Sequence, residues 1–313
     1  MSRAVLLLGW LSGCTMVVVD EPCDTAGDVL LDRDTGFSAP NRFIDVGTGA
    51  AHTCGLRPSG AIDCWGANDE GQLDAPAGVF ASLHVGHAHG CALDDAGDVT
   101  CWGRNDRNQA SLSGRFSAIA LGGAHSCGLT DEGTVVCIGS NEEGQLDSPT
   151  LPMTALVAGA THTCGLLAPE EGEQPRSVCW GSISKEPGRT EHHTAMIAGT
   201  DWSCFAETDN DGIESTVCLG ANEHGQHDVP AGAPIAAATA GARHGCAVTS
   251  DGTIECWGAN DAEQRLAPQG QFQRVISGPT SLHTCALEAS NDAPEAGTAV
   301  HCWGLNAENQ LEP

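Results

Sequence analysis

Apolar positions in this chain fall in short runs, broken every few residues by glycine, proline, serine or aspartate, and no stretch holds a 3.6-residue period. The stretch HTCGLRPSGAIDCWGANDEGQLDAP, His52 to Pro76, shows the unit. Thr53–Leu56 and Ala61–Trp65 are two short runs on either side of Pro58-Ser59-Gly60, the pattern of a β-hairpin. A three-residue hairpin loop wants a left-handed residue at its third position, which glycine adopts without steric cost. Folding about Ser59 sets Cys54 opposite Cys64. Directly opposed residues of an antiparallel pair lie about 4.5–5.5 Å apart, within reach of a disulfide. Trp65 follows and points to the other face, which suits a sheet covered on both sides.

The unit recurs. Cys54/Cys64 is followed by Cys91/Cys101, Cys127/Cys137, Cys164/Cys179, Cys204/Cys218, Cys246/Cys256 and Cys285/Cys302, with first cysteines spaced by 37, 36, 37, 40, 42 and 39 residues. Two residues before each first cysteine stand His52, His89, His125, His162, Trp202, His244 and His283. Three residues earlier come Gly49, Gly86, Gly122, Gly159, Gly199 and Gly241, with Thr280 in unit seven. After each second cysteine comes an apolar residue and glycine, the apolar position being Trp65, Trp102, Ile138, Trp180, Leu219, Trp257 or Trp303. Seven positions past it stand Gln72, Gln109, Gln145, Gln226, Gln264 and Gln310, with Pro187 in unit four. In the four units with the shortest hairpins, glycine takes the third loop position: Gly60, Gly97, Gly133 and Gly252. Columns in phase mark an internal repeat. Small sheets of about 40 residues, seven times over, predict an all-β, seven-bladed β-propeller over residues 43–313, with one intra-blade disulfide per repeat.

The pattern G-x-x-H-T-C-x-L … G-x-x-x-C-W-G-x-N-x-x-G-Q-L resembles the repeat of the regulator of chromosome condensation family, in its cysteine-bearing bacterial form. The resemblance runs from Phe43 to Pro313 and is strongest at His52–Leu73 and His125–Leu146. It implies a seven-bladed propeller, without implying one function. The eukaryotic namesake exchanges guanine nucleotides and binds chromatin; other members inhibit enzymes or bind assorted proteins. Function has to be argued from a site.

Charge narrows the choice. Thirteen Lys+Arg stand against 41 Asp+Glu, a net charge of −28. Nucleic-acid binding needs cations to neutralise phosphates, so a nucleic-acid partner is not expected and a basic protein partner fits better. The N-terminus, MSRAVLLLGWLSGC, has a positive Arg3 and an apolar core from Ala4 to Leu11, too short to span a bilayer and of signal-peptide type. Leu11-Ser12-Gly13-Cys14 resembles the bacterial lipobox. It implies a signal peptide over residues 1–13, lipid attachment at Cys14 and a tether over 14–42. Contact with the membrane would be through that anchor alone, at the bacterial cell envelope, and Thr15 after the cysteine favours the outer membrane. Export permits disulfides. Setting Cys14 and the seven pairs aside leaves Cys23, a free thiol or an intermolecular partner.

Each chemically suggestive column also has a structural reading. Six histidines could suggest metal sites, but zinc needs about four convergent ligands, so each histidine is expected to hydrogen-bond backbone within its own blade. The tryptophans read as blade packing. The glutamines read as turn residues that satisfy backbone groups. Departures from the repeat are more informative, because function concentrates in loops. Three hairpins are long and acidic: Ala168–Ser177, Glu207–Thr216 and Glu288–Thr298. They nominate Glu170, Glu171, Glu173, Asp209, Asp211, Glu214, Asp292 and Glu295 as candidate binding residues on one face. Asp209-Asn210-Asp211-Gly212 has calcium-ligand types, without a bidentate glutamate at the needed offset. No catalytic motif stands out, and no cofactor or catalytic residue is assigned. The reading is a non-catalytic protein-binding module. The alternatives are an enzyme at the channel mouth, which predicts convergent histidine and carboxylates there, and an exported inhibitor, which predicts exposed apolar anchors.

Overall fold

A computed structural model describes residues 42–169, 175–183, 192–208, 214–290 and 297–312, without the side chains of residues 192, 214 and 235. Residues 41–313 form one compact unit. Among the described residues it is all-β apart from one short 3-10 turn, Ile235–Ala237. Seven antiparallel sheets follow one another along the chain, each built from three consecutive strands. In blade one these are Asp45–Thr48, His52–Leu56 and Ile62–Gly66. The first strand of each blade touches the first strand of the next all the way round, from Asp45–Thr48 to Phe272–Ile276 and back. This is the predicted seven-bladed propeller, with the first strands innermost.

The hairpins form as their sequence requires. Gly60, Gly97, Gly133 and Gly252 sit at φ of 81, 82, 80 and 81°, and Arg57 N–H bonds to Ala61 C=O around the Pro58-Ser59-Gly60 loop. The register sets each first cysteine directly opposite the second of its own blade. Every expected disulfide forms: Cys54–Cys64, Cys91–Cys101, Cys127–Cys137, Cys164–Cys179, Cys204–Cys218, Cys246–Cys256 and Cys285–Cys302. Their Cα atoms lie 4.0–4.1 Å apart, closer than the 4.5–5.5 Å expected of an opposed pair. The two ends of each staple differ in depth. The first cysteines stand on the middle strand and are fully buried. The second cysteines stand on the outer strand, where Cys64, Cys101, Cys137, Cys218, Cys256 and Cys302 are half-buried and Cys179 alone is buried. Closing a hairpin of about ten residues stabilises by roughly 2–3 kcal/mol in the chain-entropy view.

The ring closes between blades seven and one. Arg42–Phe43 adds a fourth strand to blade seven, pairing with Ala299 and Thr298. Gly278 N–H donates to Thr48 Oγ1 at 2.7 Å.

Three columns hold blade to blade. Each glutamine Oε1 accepts a backbone N–H from two residues earlier, as Gln72 does from Glu70 at 2.8 Å. That frees its own carbonyl for a neighbour: Trp102 Nε1–H donates to Gln72, Trp180 to Gln145, Trp257 to Gln226, Trp303 to Gln264, and Trp65 to Gln310 across the closure, all at 2.8–3.0 Å. The tryptophans therefore bond the preceding blade as well as packing.

The histidines differ from expectation. Their partner is a side-chain hydroxyl of the next blade: His89 Nε2 meets Ser126, His125 Thr163, His162 Ser203, His244 Thr284, and His283 Thr53, at 2.7–3.0 Å. Ser126 Oγ spends its one hydrogen on Gln109 C=O and Thr53 its hydrogen on Gln310 C=O. His89 and His283 therefore donate from Nε2. A hydroxyl wins over a strand carbonyl because the carbonyls are already paired in the ladder. Trp202 replaces histidine in blade five and donates to Ala242 C=O. The glycine column exists to admit the imidazole: a Cβ at Gly49 would lie 2.2 Å from the His52 ring and 2.8 Å from Gly86 C=O of the next blade.

Two features were not anticipated. In blade seven the close-packed glycine is Gly278, whose Cβ would lie 1.8 Å from Thr48 C=O; Thr280 belongs to a longer inner turn that reaches Thr200 of blade five through Pro279 C=O. A further column lies at or just before the start of the first strands: Phe43, Phe80, Phe116, Met153, His193 and Phe272 are all buried, and Ile235 holds the same place in the sequence. Phe80 N–H bonds Gly60 C=O, Phe116 bonds Gly97, Met153 bonds Gly133 and Phe272 bonds Gly252, so each blade starts on the hairpin of the one before.

Candidate functional site

The two ends of the ring are chemically different. The glycine–histidine turns and the glutamine turns lie at one end, spent on the bonds just described. The hairpins between second and third strands lie at the other, with the starts of the inner strands. This end carries the largest insertions into the repeat.

Blades four, five and seven have disulfide separations of 15, 14 and 17 residues, against 10 in the other four. Their first strands also pair past a bulge, at Met153/Ala155, His193/Ala195 and Phe272/Arg274. In blade five the second and third strands, Trp202–Thr208 and Glu214–Gly220, run farther than the predicted loop Glu207–Thr216 allowed. Glu207 is a buried strand residue, which shortens that loop. Glu214 opens the third strand, paired with Thr208. Glu170, Glu171, Glu173, Asp209, Asp211, Asp292 and Glu295 lie outside the described residues, as do the Asp209–Gly212 calcium-type run, Cys14, Cys23, residues 1–41 and Pro187.

Beneath the hairpins of blades four and five sits a buried polar pair. His193 stands in the aromatic column. Its Nδ1 accepts from Ser177 N–H of blade four at 3.0 Å, and its Nε2 faces Glu207 Oε1 at 2.9 Å. Because Nδ1 is an acceptor, Nε2 carries the hydrogen, and a neutral imidazole donates to the carboxylate. Phe205 packs against the ring at 5.4 Å.

At the inner strands of blades seven, one and two, three ionisable groups converge. Arg274 Nη1 lies 2.8 Å from Asp45 Oδ1, across the closure seam. Burial pushes the Asp45 carboxyl up, against the opposing pull of the Arg274 guanidinium. His84 is partly accessible, and desolvation, then Arg274, lowers its pKa to about 4. Blades three to five carry alanine at the level of Asp45 and Arg274, namely Ala118, Ala155 and Ala195, opposite Leu129, Leu166 and Ala206. A cavity of about 430 Å³ adjoins Arg274 at the seam, lined by Phe43, Ile44, Gln273, Leu287, Gly297 and Thr298 as well. None of this site was nominated by the sequence. Among the described residues no group of three or more His, Cys, Asp or Glu is arranged to hold a metal ion, and no helix is long and apolar enough to cross a membrane.

Comparison with known proteins follows the same division between blades. The Regulator of chromosome condensation (RCC1) repeat matches residues 43–72, 81–109, 116–145 and 235–264. These are blades one, two, three and six, the four with short hairpins. No curated protein matches the chain. Among solved structures, the ectodomain of the Physcomitrella patens receptor kinase CR4 is similar at 22% identity and a TM-score of 0.64, over 83% of this chain and 72% of that one. The CRINKLY WD40 ectodomain of the Arabidopsis thaliana receptor kinase ACR4 aligns at 22% identity and 0.65, over 85% and 95%. Human WBSCR16 aligns at 14% identity and 0.60, over 77% and 85%. These likenesses establish the propeller fold.

Proposed function

We propose that this chain is a non-catalytic binding module, held by lipid at Cys14 to the bacterial cell envelope, that recognises a protein partner with the hairpin end of its propeller. One observation carries the reading. The columns at the other end are consumed in holding the ring, and the largest insertions into the repeat fall in the hairpins of blades four, five and seven. A stapled ring loses little conformational freedom on binding, and seven disulfides fit an oxidising compartment. The net charge of −28 favours a basic partner over nucleic acid.

The test is capture of envelope and secreted proteins on the immobilised oxidised chain, with an unrelated acidic protein as control bait. The reading expects a partner retained over the control. Retention of nothing beyond the control overturns it. Cys14→Ala is expected to abolish labelling by a radiolabelled fatty acid and to release the chain from membranes; labelling that survives the substitution would sink the anchor.

A further inference from the structure

The Asp45–Arg274 pair is asymmetric in what it shows to solvent. The Asp45 side chain is 15% exposed and is covered by Arg274 and by Val46 N–H at 2.8 Å. The Arg274 side chain is 56% exposed and bonds Asp45 through Nη1. The pair therefore hides its anion and presents its cation. Arginine has five N–H donors in a planar fork that matches a carboxylate, and more than half of this side chain is open to solvent. In a chain of net charge −28, a cation fixed beside a cavity is the anomaly. The cavity is of small-molecule size, within the range of roughly 300–1,000 Å³ usual for ligand sites, and its wall is both apolar and polar. Half-buried Ile44 supplies the apolar surface a ligand can reach, backed by the buried Phe43 and Leu287, and Gln273 and Thr298 supply an amide and a hydroxyl 3.4 Å apart.

We propose that this seam cavity binds a small apolar carboxylate, with Arg274 holding the carboxylate and Ile44, backed by the buried Phe43 and Leu287, meeting the apolar body. Two sources share that chemistry: a free medium-chain acid and the C-terminus of a peptide ending in an apolar residue. The site uses residues at the base of the hairpins, so it stands apart from the protein-recognition reading and survives failure of that reading. The competing account is that Arg274 and Asp45 merely latch the ring.

The experiment is calorimetric titration of the oxidised full-length chain with octanoate, with octanol as the same body without charge, and with a tripeptide ending in leucine, free or amidated. The proposal expects octanoate or the free-acid peptide to bind, their uncharged counterparts to bind at least about tenfold more weakly, and Arg274→Gln to weaken binding by about tenfold or more, as loss of a hydrogen bond to a charged group implies. Which acid binds assigns the source. Arg274→Gln leaves Asp45 unpaired and could loosen the seam, so Asp45→Asn is the second variant. It keeps the cation and frees it, and is expected to preserve or tighten carboxylate binding. A latch predicts that Asp45→Asn and Arg274→Gln behave alike. Absence of binding by both acids, equal binding of acid and uncharged forms, or loss of binding in Asp45→Asn would overturn the proposal.

Discussion

Blades one, two, three and six differ from blades four, five and seven in a coordinated way. The first group keeps a short hairpin with a left-handed glycine, an inner strand without a register shift, and the match to the RCC1 repeat. The second group has longer hairpins and pairs its inner strand beyond a bulge. Yet both groups place the cysteines directly opposite each other and at the same Cα spacing. The staple therefore separates two jobs. Inward of it, geometry is held constant so that the next blade can dock. Outward of it, the hairpin varies without disturbing the ring.

The largest test of that comparison removes staples. Cys54→Ala/Cys64→Ala in blade one and Cys285→Ala/Cys302→Ala in blade seven are each expected to lower unfolding stability by about 2–4 kcal/mol. Urea unfolding should find them within roughly 0.5 kcal/mol of each other, since the entropy of closure grows only with the logarithm of loop length. A blade-seven loss several times larger would show that long hairpins are part of the fold.

Acid should strain the shared inner frame. Desolvation lowers His89 and His283 to about 3, and His52, His125, His162 and His244 to about 4. The unfolded chain titrates near its ordinary value of about 6.5, so it takes up protons first. Stability is then fully present above about pH 6.5 and falls as the pH drops toward 4 and 3, by several kcal/mol summed over six sites. Urea midpoints between pH 7 and 5 isolate the effect, because carboxylates titrate lower. A flat profile would contradict it.

Blade five offers a conversion. His193→Phe restores the aromatic of the regular blades but leaves Glu207 buried without this donor, and a loss of about 3 kcal/mol is expected. Adding Glu207→Leu should recover part of it. The smallest effects compare hydroxyl partners. Ser126→Ala strands His89 Nε2–H and is expected to cost about 1–2 kcal/mol. In blade two glycine, Gly90, stands at the position that carries the hydroxyl partner in other blades, and neither ring nitrogen of His52 has a protein partner among the described residues. His52→Leu is accordingly expected to be neutral within about 0.5 kcal/mol.

What was legible in the sequence was whatever repeats at a fixed offset. Cysteine pairing, the hairpin glycines and the glutamine turns are local consequences of nearby residues. The histidine column was visible, but its partner was not, because Ser126 and Thr53 lie in the neighbouring blade, which only docking brings close. The column from Phe43 to Phe272 escaped notice because it mixes phenylalanine, methionine, isoleucine and histidine; its constant offset before the first cysteine in six units was the available signal. In blade seven the inner turn is longer, so a fixed offset landed on Thr280 where the glycine is Gly278. Asp45 and Arg274 sit near opposite ends of the chain and share no motif. Ring closure alone makes them a pair.

The most direct test exchanges the variable part alone. In one chain, residues 168–176, 209–213 and 289–296 are each replaced by the short hairpin turn of blade one, keeping every cysteine pair, Ser177, Glu207 and Thr298, and thermal unfolding and partner capture are measured on the same sample. A ring that retains its disulfides and cooperative unfolding while losing its captured partner is the predicted result. Unchanged capture would place recognition elsewhere on the propeller and contradict the division between frame and hairpins.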